Sequence, residues 1–66
     1  MTNIEAQAVQ AVQTVYNCTQ VCKADNNLEG AIQWANEGLG MMKMFNLITG
    51  KTIRVVDGKA VIVEEV

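Results

Sequence analysis

The ten residues 39–48, LGMMKMFNLI, carry only two overtly polar side chains, Lys43 and Asn46. Three methionines and a phenylalanine spread around nearly the whole circumference of a helix built from them. A helix that is apolar on almost every side belongs in an interior. Whatever this chain folds into must cover that segment.

The chain has little material for the task. Its 66 residues allow one domain. At this size, apolar burial and the entropy cost of ordering nearly cancel, and a small fold usually needs a disulfide framework, a metal or a second subunit. Two cysteines are too few for a framework. The absence of histidine excludes the zinc sets that mix Cys and His. Self-assembly remains, and a 50% hydrophobic composition fits it. The expected first partner is therefore another copy of this chain.

Charge narrows the other partners. A net charge of −2, with few charges of either sign, argues against nucleic acid, where a basic stripe is expected. No run reaches the ~18 apolar residues that a membrane span needs. The N-terminus shows no basic region followed by an apolar run, so no signal peptide is expected and the cytoplasm is the default location.

Helix one is expected over residues 3–24, capped by Thr2 or Asn3. Its apolar side is Ile4, Ala8, Ala11, Val15, Cys18 and Cys22, with Val9, Val12 and Tyr16 beside it. The first set alternates steps of four and three, the spacing of a helical seam. The opposite side carries Asn3, Gln7, Gln10, Gln13, Thr14, Asn17 and Gln20. It is polar but almost uncharged. Amides are easier to desolvate than charges, and each both donates and accepts. That face suits either solvent or a second contact surface.

Asp25-Asn26-Asn27 interrupts the pattern. Asn26 with Glu29 makes a capping box for a second helix over residues 27–49. So short a loop favours an antiparallel helical hairpin. The expected apolar arc of helix two is Leu28, Ala31, Ile32, Ala35, Leu39 and Met42, flanked by Trp34, Met41 and Phe45. Met44 and Leu47 fall on its polar side, where they must meet the rest of the chain or another chain. Gly38 lies on the apolar side and allows a close helix crossing. Thr49-Gly50 ends the helix, with Gly50 suited to the left-handed position after the last turn.

Two β-rich runs follow, residues 51–56 and 59–66, joined by Asp57-Gly58, the strongest short hairpin signal. The register stays open. A two-residue turn pairs Val56 with Lys59, and a three-residue loop with a bulge pairs Val55 with Lys59. Either way Val61-Ile62-Val63 places apolar groups on both faces. An isolated two-stranded ribbon is marginal in water. Pairing with another subunit would cover its outer face and edges. Glu64 and Glu65 blunt the edge of the second strand.

Few chemistries are available. Without histidine or serine, one kind of chain cannot build Ser-His-Asp or Cys-His machinery. No phosphate-binding glycine loop is present. Cys18 and Cys22, one turn apart on one helix, do not easily reach disulfide geometry. They read as small core hydrophobes, ahead of a shared metal site or redox chemistry. No carboxylate pair has acid–base spacing. The chain is expected to be non-enzymatic, with no cofactor and no metal.

Two groups of residues are candidates for binding. Lys51 and Arg54, doubled across a symmetry axis, would grip a phosphate or carboxylate, with Trp34 or Tyr16 stacking on the ligand. The alternative is a solubilising cluster and ordinary core aromatics. Met41, Met44, Phe45, Leu47, Val61 and Val63 are candidates for an oligomer interface, since methionine serves both irregular cores and adaptable surfaces.

The expected fold is α+β, a helical hairpin followed by a C-terminal β-hairpin (ααββ), in one small homo-oligomeric domain. The expected function is a small binding or inhibitor-type accessory protein. It would sequester a small anionic ligand or block a host protein. Size and composition are analogous to those of proteins encoded by viruses and mobile elements. The alternative is a structural subunit of a virion, filament or other assembly.

Overall fold

The computed structural model describes residues 3–63. Four elements follow in order: α1 (Asn3–Ala24), α2 (Leu28–Thr49), β1 (Thr52–Val56) and β2 (Lys59–Val63). This is the ααββ arrangement of a helical hairpin and an antiparallel β-hairpin. Of the residues expected to cap α1 or to guard the strand edge, Thr2, Glu64 and Glu65 lie outside the described residues, as does Val66.

Three residues, Asp25, Asn26 and Asn27, join the helices. Asn26 takes a left-handed conformation (φ 58°). The Asn26 N–H donates to the Lys23 carbonyl at 3.1 Å, and the Asn27 N–H donates to the Cys22 carbonyl at 2.8 Å. These two bonds form a Schellman ending for α1. Asn27 then starts α2, its Oδ1 accepting from the Gly30 N–H at 3.0 Å. The cap is thus Asn27 and not Asn26, because the left-handed backbone of Asn26 is already used in stopping α1. At the far end Gly50 is left-handed (φ 74°) and its N–H donates to the Asn46 carbonyl at 2.8 Å. Asn46 Nδ2 also donates to the Lys51 carbonyl, which ties the helix to the strand that follows.

The helices cross where α2 has no side chain. A Cβ added to the buried Gly38 would lie 3.1 Å from Cγ1 of Val15. The inward line of α2 is accordingly Ala31, Gly38 and Phe45, at seven-residue intervals. On α1 the buried residues are Val12, Val15 and Thr19. Thr19 satisfies its hydroxyl by donating to the Val15 carbonyl at 2.9 Å.

Both inward lines are rotated from expectation. On α1 the seam shifts toward Val12, leaving Ile4 exposed and Cys18 and Cys22 half-buried. On α2, Leu28, Ile32, Ala35 and Leu39 face out. Close packing at Gly38 draws the small residues into the contact, and the bulky ones go to its flank.

The β-hairpin supplies the core that the helices lack. Asp57 (φ 51°) and Gly58 (φ 79°) both have positive φ, the signature of a type I′ two-residue turn. Val56 therefore pairs with Lys59, and Val55 with Ala60 rather than with Lys59. Ile53, Val55, Ala60 and Ile62 turn inward, and Arg54 and Val61 turn out as a cross-strand pair. β2 lies over α1, and β1 lies mainly over α2. Val12, Phe45, Ile53 and Ala60 form the buried cluster, with Met41, Met42, Val55 and Ile62 packed around it. Ile53 is the most enclosed, at 2% exposure.

Candidate functional site

Gly38 brings the helix axes together, and a groove runs along one flank of the crossing. Its volume is about 270 Å³. α1 contributes Tyr16, Thr19, Gln20 and Lys23, and α2 contributes Ala35, Leu39 and Met42. Val55 of β1 closes one end. A wider depression of about 570 Å³ adjoins it through the shared Leu39 and Met42. It extends past Lys43, Asn46 and Leu47 to Thr52 and Ile53. Together they form one largely apolar face across both helices and the root of the hairpin. Concave, apolar and sparsely polar surfaces of this kind are where ligands and partner side chains dock.

The four expected ligand residues do not converge within one chain. Tyr16 is half-buried in the groove wall. Trp34 is half-buried but does not line the groove. Helical rotation places it on the other flank of the Gly38 seam from Ala35 and Leu39. Arg54 lies on the outer face of β1 opposite Val61. Lys51 stands just before β1, and its Nζ is 2.7 Å from Oε1 of Glu5 in the first turn of α1. That carboxylate is only 14% exposed. The pair ties the start of α1 to the segment entering β1 and offsets the positive charge expected to attract an anion.

The expected interface residues divide. Phe45 is a correction: at 6% exposure it belongs to the core, seven residues after Gly38 on the inward line of α2. Met41 is half-buried against the same cluster. Met44 and Leu47 are exposed, as is Ile48 beside them, and Leu47 reaches 80%. The expected burial of the end of α2 is not realised within the chain, because the hairpin covers only its Phe45 side. Val61 is exposed and Val63 half-buried, both on the outer face of the hairpin.

One side chain that fixes the β-hairpin falls where the sequence shows only an uncharged polar stripe. Gln13 reaches the hairpin from α1. Its Oε1 accepts from the Ala60 N–H at 2.7 Å, and its Nε2 donates to the Gly58 carbonyl at 3.0 Å. A second contact from Nε2, to Asn17 Oδ1 at 3.1 Å, steadies the amide. Gln13 therefore bonds the backbone of β2 much as a neighbouring strand would. Only its position next to Val12, at the border of the apolar side, sets it apart from the other glutamines.

Ligand chemistry is otherwise sparse. Cys18 and Cys22 are free thiols. Among the described residues no three Cys, Asp or Glu side chains gather into a metal-binding group. None of the buried polar side-chain atoms there lacks a hydrogen-bond partner, so no orphaned group points to an absent ligand. No described helix is long and apolar enough to cross a membrane. Comparison of the chain with protein-family models, curated proteins and solved structures finds no match.

Proposed function

We propose that this protein is a small, non-enzymatic binding module that acts as a homo-oligomer in the cytoplasm and blocks a protein partner through apolar side chains. The observation that carries this reading is the exposed group Met44, Leu47 and Ile48 at the end of α2. Their spacing places them side by side on one helical face, and Leu47 borders the wide depression. Contiguous exposed apolar groups of this kind mark interaction surfaces. Capture of a small anion has less support, since Lys51 is engaged by Glu5 and Arg54 stands on a different face.

Leu47→Lys tests the reading. The exposed position predicts unchanged helix content by circular dichroism. Affinity capture from host lysate should lose at least one protein that the parent chain retains. Identical captured sets would sink the protein-blocking role. In parallel, heat on titrating a panel of nucleotides into the protein would restore the anion reading.

A second reading is a structural subunit of a larger assembly. The described sheet has two strands, so neither edge meets a third strand there, although Gln13 caps part of the β2 edge, and its outer face carries Val56, Val61 and Val63. Edges of this kind are templates for strand addition. An open-ended size distribution in light scattering would favour it over a closed oligomer.

A further inference from the structure

We infer that the exposed stripe Leu28, Ile32, Ala35 and Leu39 on α2 is a homodimer seam, packed antiparallel against the same stripe of a second copy. The inference rests on the reading of the protein as a homo-oligomer and names the surface.

The stripe is not a scatter of apolar residues. Its steps are four, three and four, and Met42 and Asn46 continue the alternation. That is the heptad spacing by which one helix presents a straight seam to another. No charge falls on it from Leu28 to Leu39. Leu28 is 67% exposed and Ile32 is 61% exposed, so the seam is fully formed and uncovered in the single chain. It is also separate from the Ala31–Gly38–Phe45 line that α2 uses against α1.

Self-complementarity selects a second copy as the occupant. A two-fold axis between positions 33 and 34 sets Leu28 against Leu39 of the partner subunit. The same axis sets Ile32 against Ala35 of the partner subunit. A branched side chain then meets a small one in the two central layers, and two leucines fill each outer layer. Such alternation of large and small residues lets facing layers interdigitate. The contact is isologous, so it closes at two subunits. The groove beside Ala35 and Leu39, walled by Tyr16 and Gln20, leaves room for the partner's helix to settle between α1 and α2.

The test compares solution mass by sedimentation equilibrium for the parent chain, Ile32→Glu and Leu47→Lys. The parent is expected at twice 7.2 kDa, Ile32→Glu at 7.2 kDa with its helical spectrum retained, and Leu47→Lys still dimeric. A monomeric parent overturns both the seam and the homo-oligomer reading. A parent dimer that survives Ile32→Glu overturns the seam alone. A dimer lost in Leu47→Lys but kept in Ile32→Glu moves the interface to the helix end. Should Ile32→Glu fail to fold, cysteine pairing decides. In a Cys18→Ala/Cys22→Ala background, Leu28→Cys with Leu39→Cys should oxidise to a covalent dimer, whereas Leu28→Cys alone should not. The two positions are about 16 Å apart along one helix and cannot join within a chain. Absence of the covalent dimer overturns the antiparallel pairing.

Discussion

The two ends of the helical hairpin are built differently. At the β-hairpin end, Val12 and Phe45 meet Ile53 and Ala60, and a second layer covers the helices. At the loop end, no other described element covers the two facing helices. The contact there is made by Ala31, Gly38, Val15 and Thr19, which are small or β-branched, while Val21, Leu28 and Ile32 stay exposed. One end thus has a true core and the other has only a crossing. Two helices bury a narrow line of residues between them, and a third element is needed to enclose large side chains. The β-hairpin is that element at one end. At the other, a partner's helix would serve.

Three substitutions probe this contrast, and the largest effect falls at the cored end. Phe45→Ala removes the biggest side chain of the cluster and should cost about 3–5 kcal/mol. For a chain this small that approaches the whole stability, so loss of the urea unfolding transition is the expected result. A clear two-state transition with a shift under ~1 kcal/mol would mean that the hairpin end is not the core.

Gln13→Ala sharpens the same end. It leaves the Ala60 N–H and the Gly58 carbonyl without their partner, at a cost of about 1–3 kcal/mol. Hydrogen exchange at the Ala60 amide should accelerate well beyond that of amides paired between the strands. Uniform acceleration across the protein would instead report global destabilisation.

Asn27→Ala acts at the loop end and should be mildest, about 1 kcal/mol from loss of the cap on Gly30. Its effect should appear in exchange of the first turn of α2 and leave the β-hairpin amides unchanged. Equal acceleration in β2 would show that the two ends unfold as one unit.

The sequence made the elements legible, but both inward faces turn part of the way round from the expected ones, toward Val12 and Phe45. Helix bounds, the Gly50 stop and the Asp57-Gly58 hairpin follow from local chemistry, which acts within a few residues. Facing does not. Leu28, Ile32, Ala35 and Leu39 form the more obvious heptad, and large side chains are the natural choice for an interior. The fold keeps Ala31 and Gly38 inward, as expected, but centres the contact on them and on one large anchor, Phe45, because closeness at a helix crossing favours small residues. The β register needed the backbone of Asp57 and Gly58, since the same dipeptide serves a two-residue turn or a bulged loop. Of the expected binding residues, Lys51 is redirected by Glu5, forty-six positions away. The role of Gln13 depends on a strand almost as distant.

Those two long-range links carry a consequence for the order in which the chain folds. Each hairpin is local in sequence and can form on its own timescale, microseconds for such units. Joining them is not local: Glu5 meets Lys51, and Gln13 meets Gly58 and Ala60, across 45 to 47 positions. Closing that distance is the slow, entropically costly event. On the ribosome it also comes late, because the core around Val12 and Phe45 stays open until residues 59–63 have emerged. Until then the nascent helices display their apolar faces uncovered.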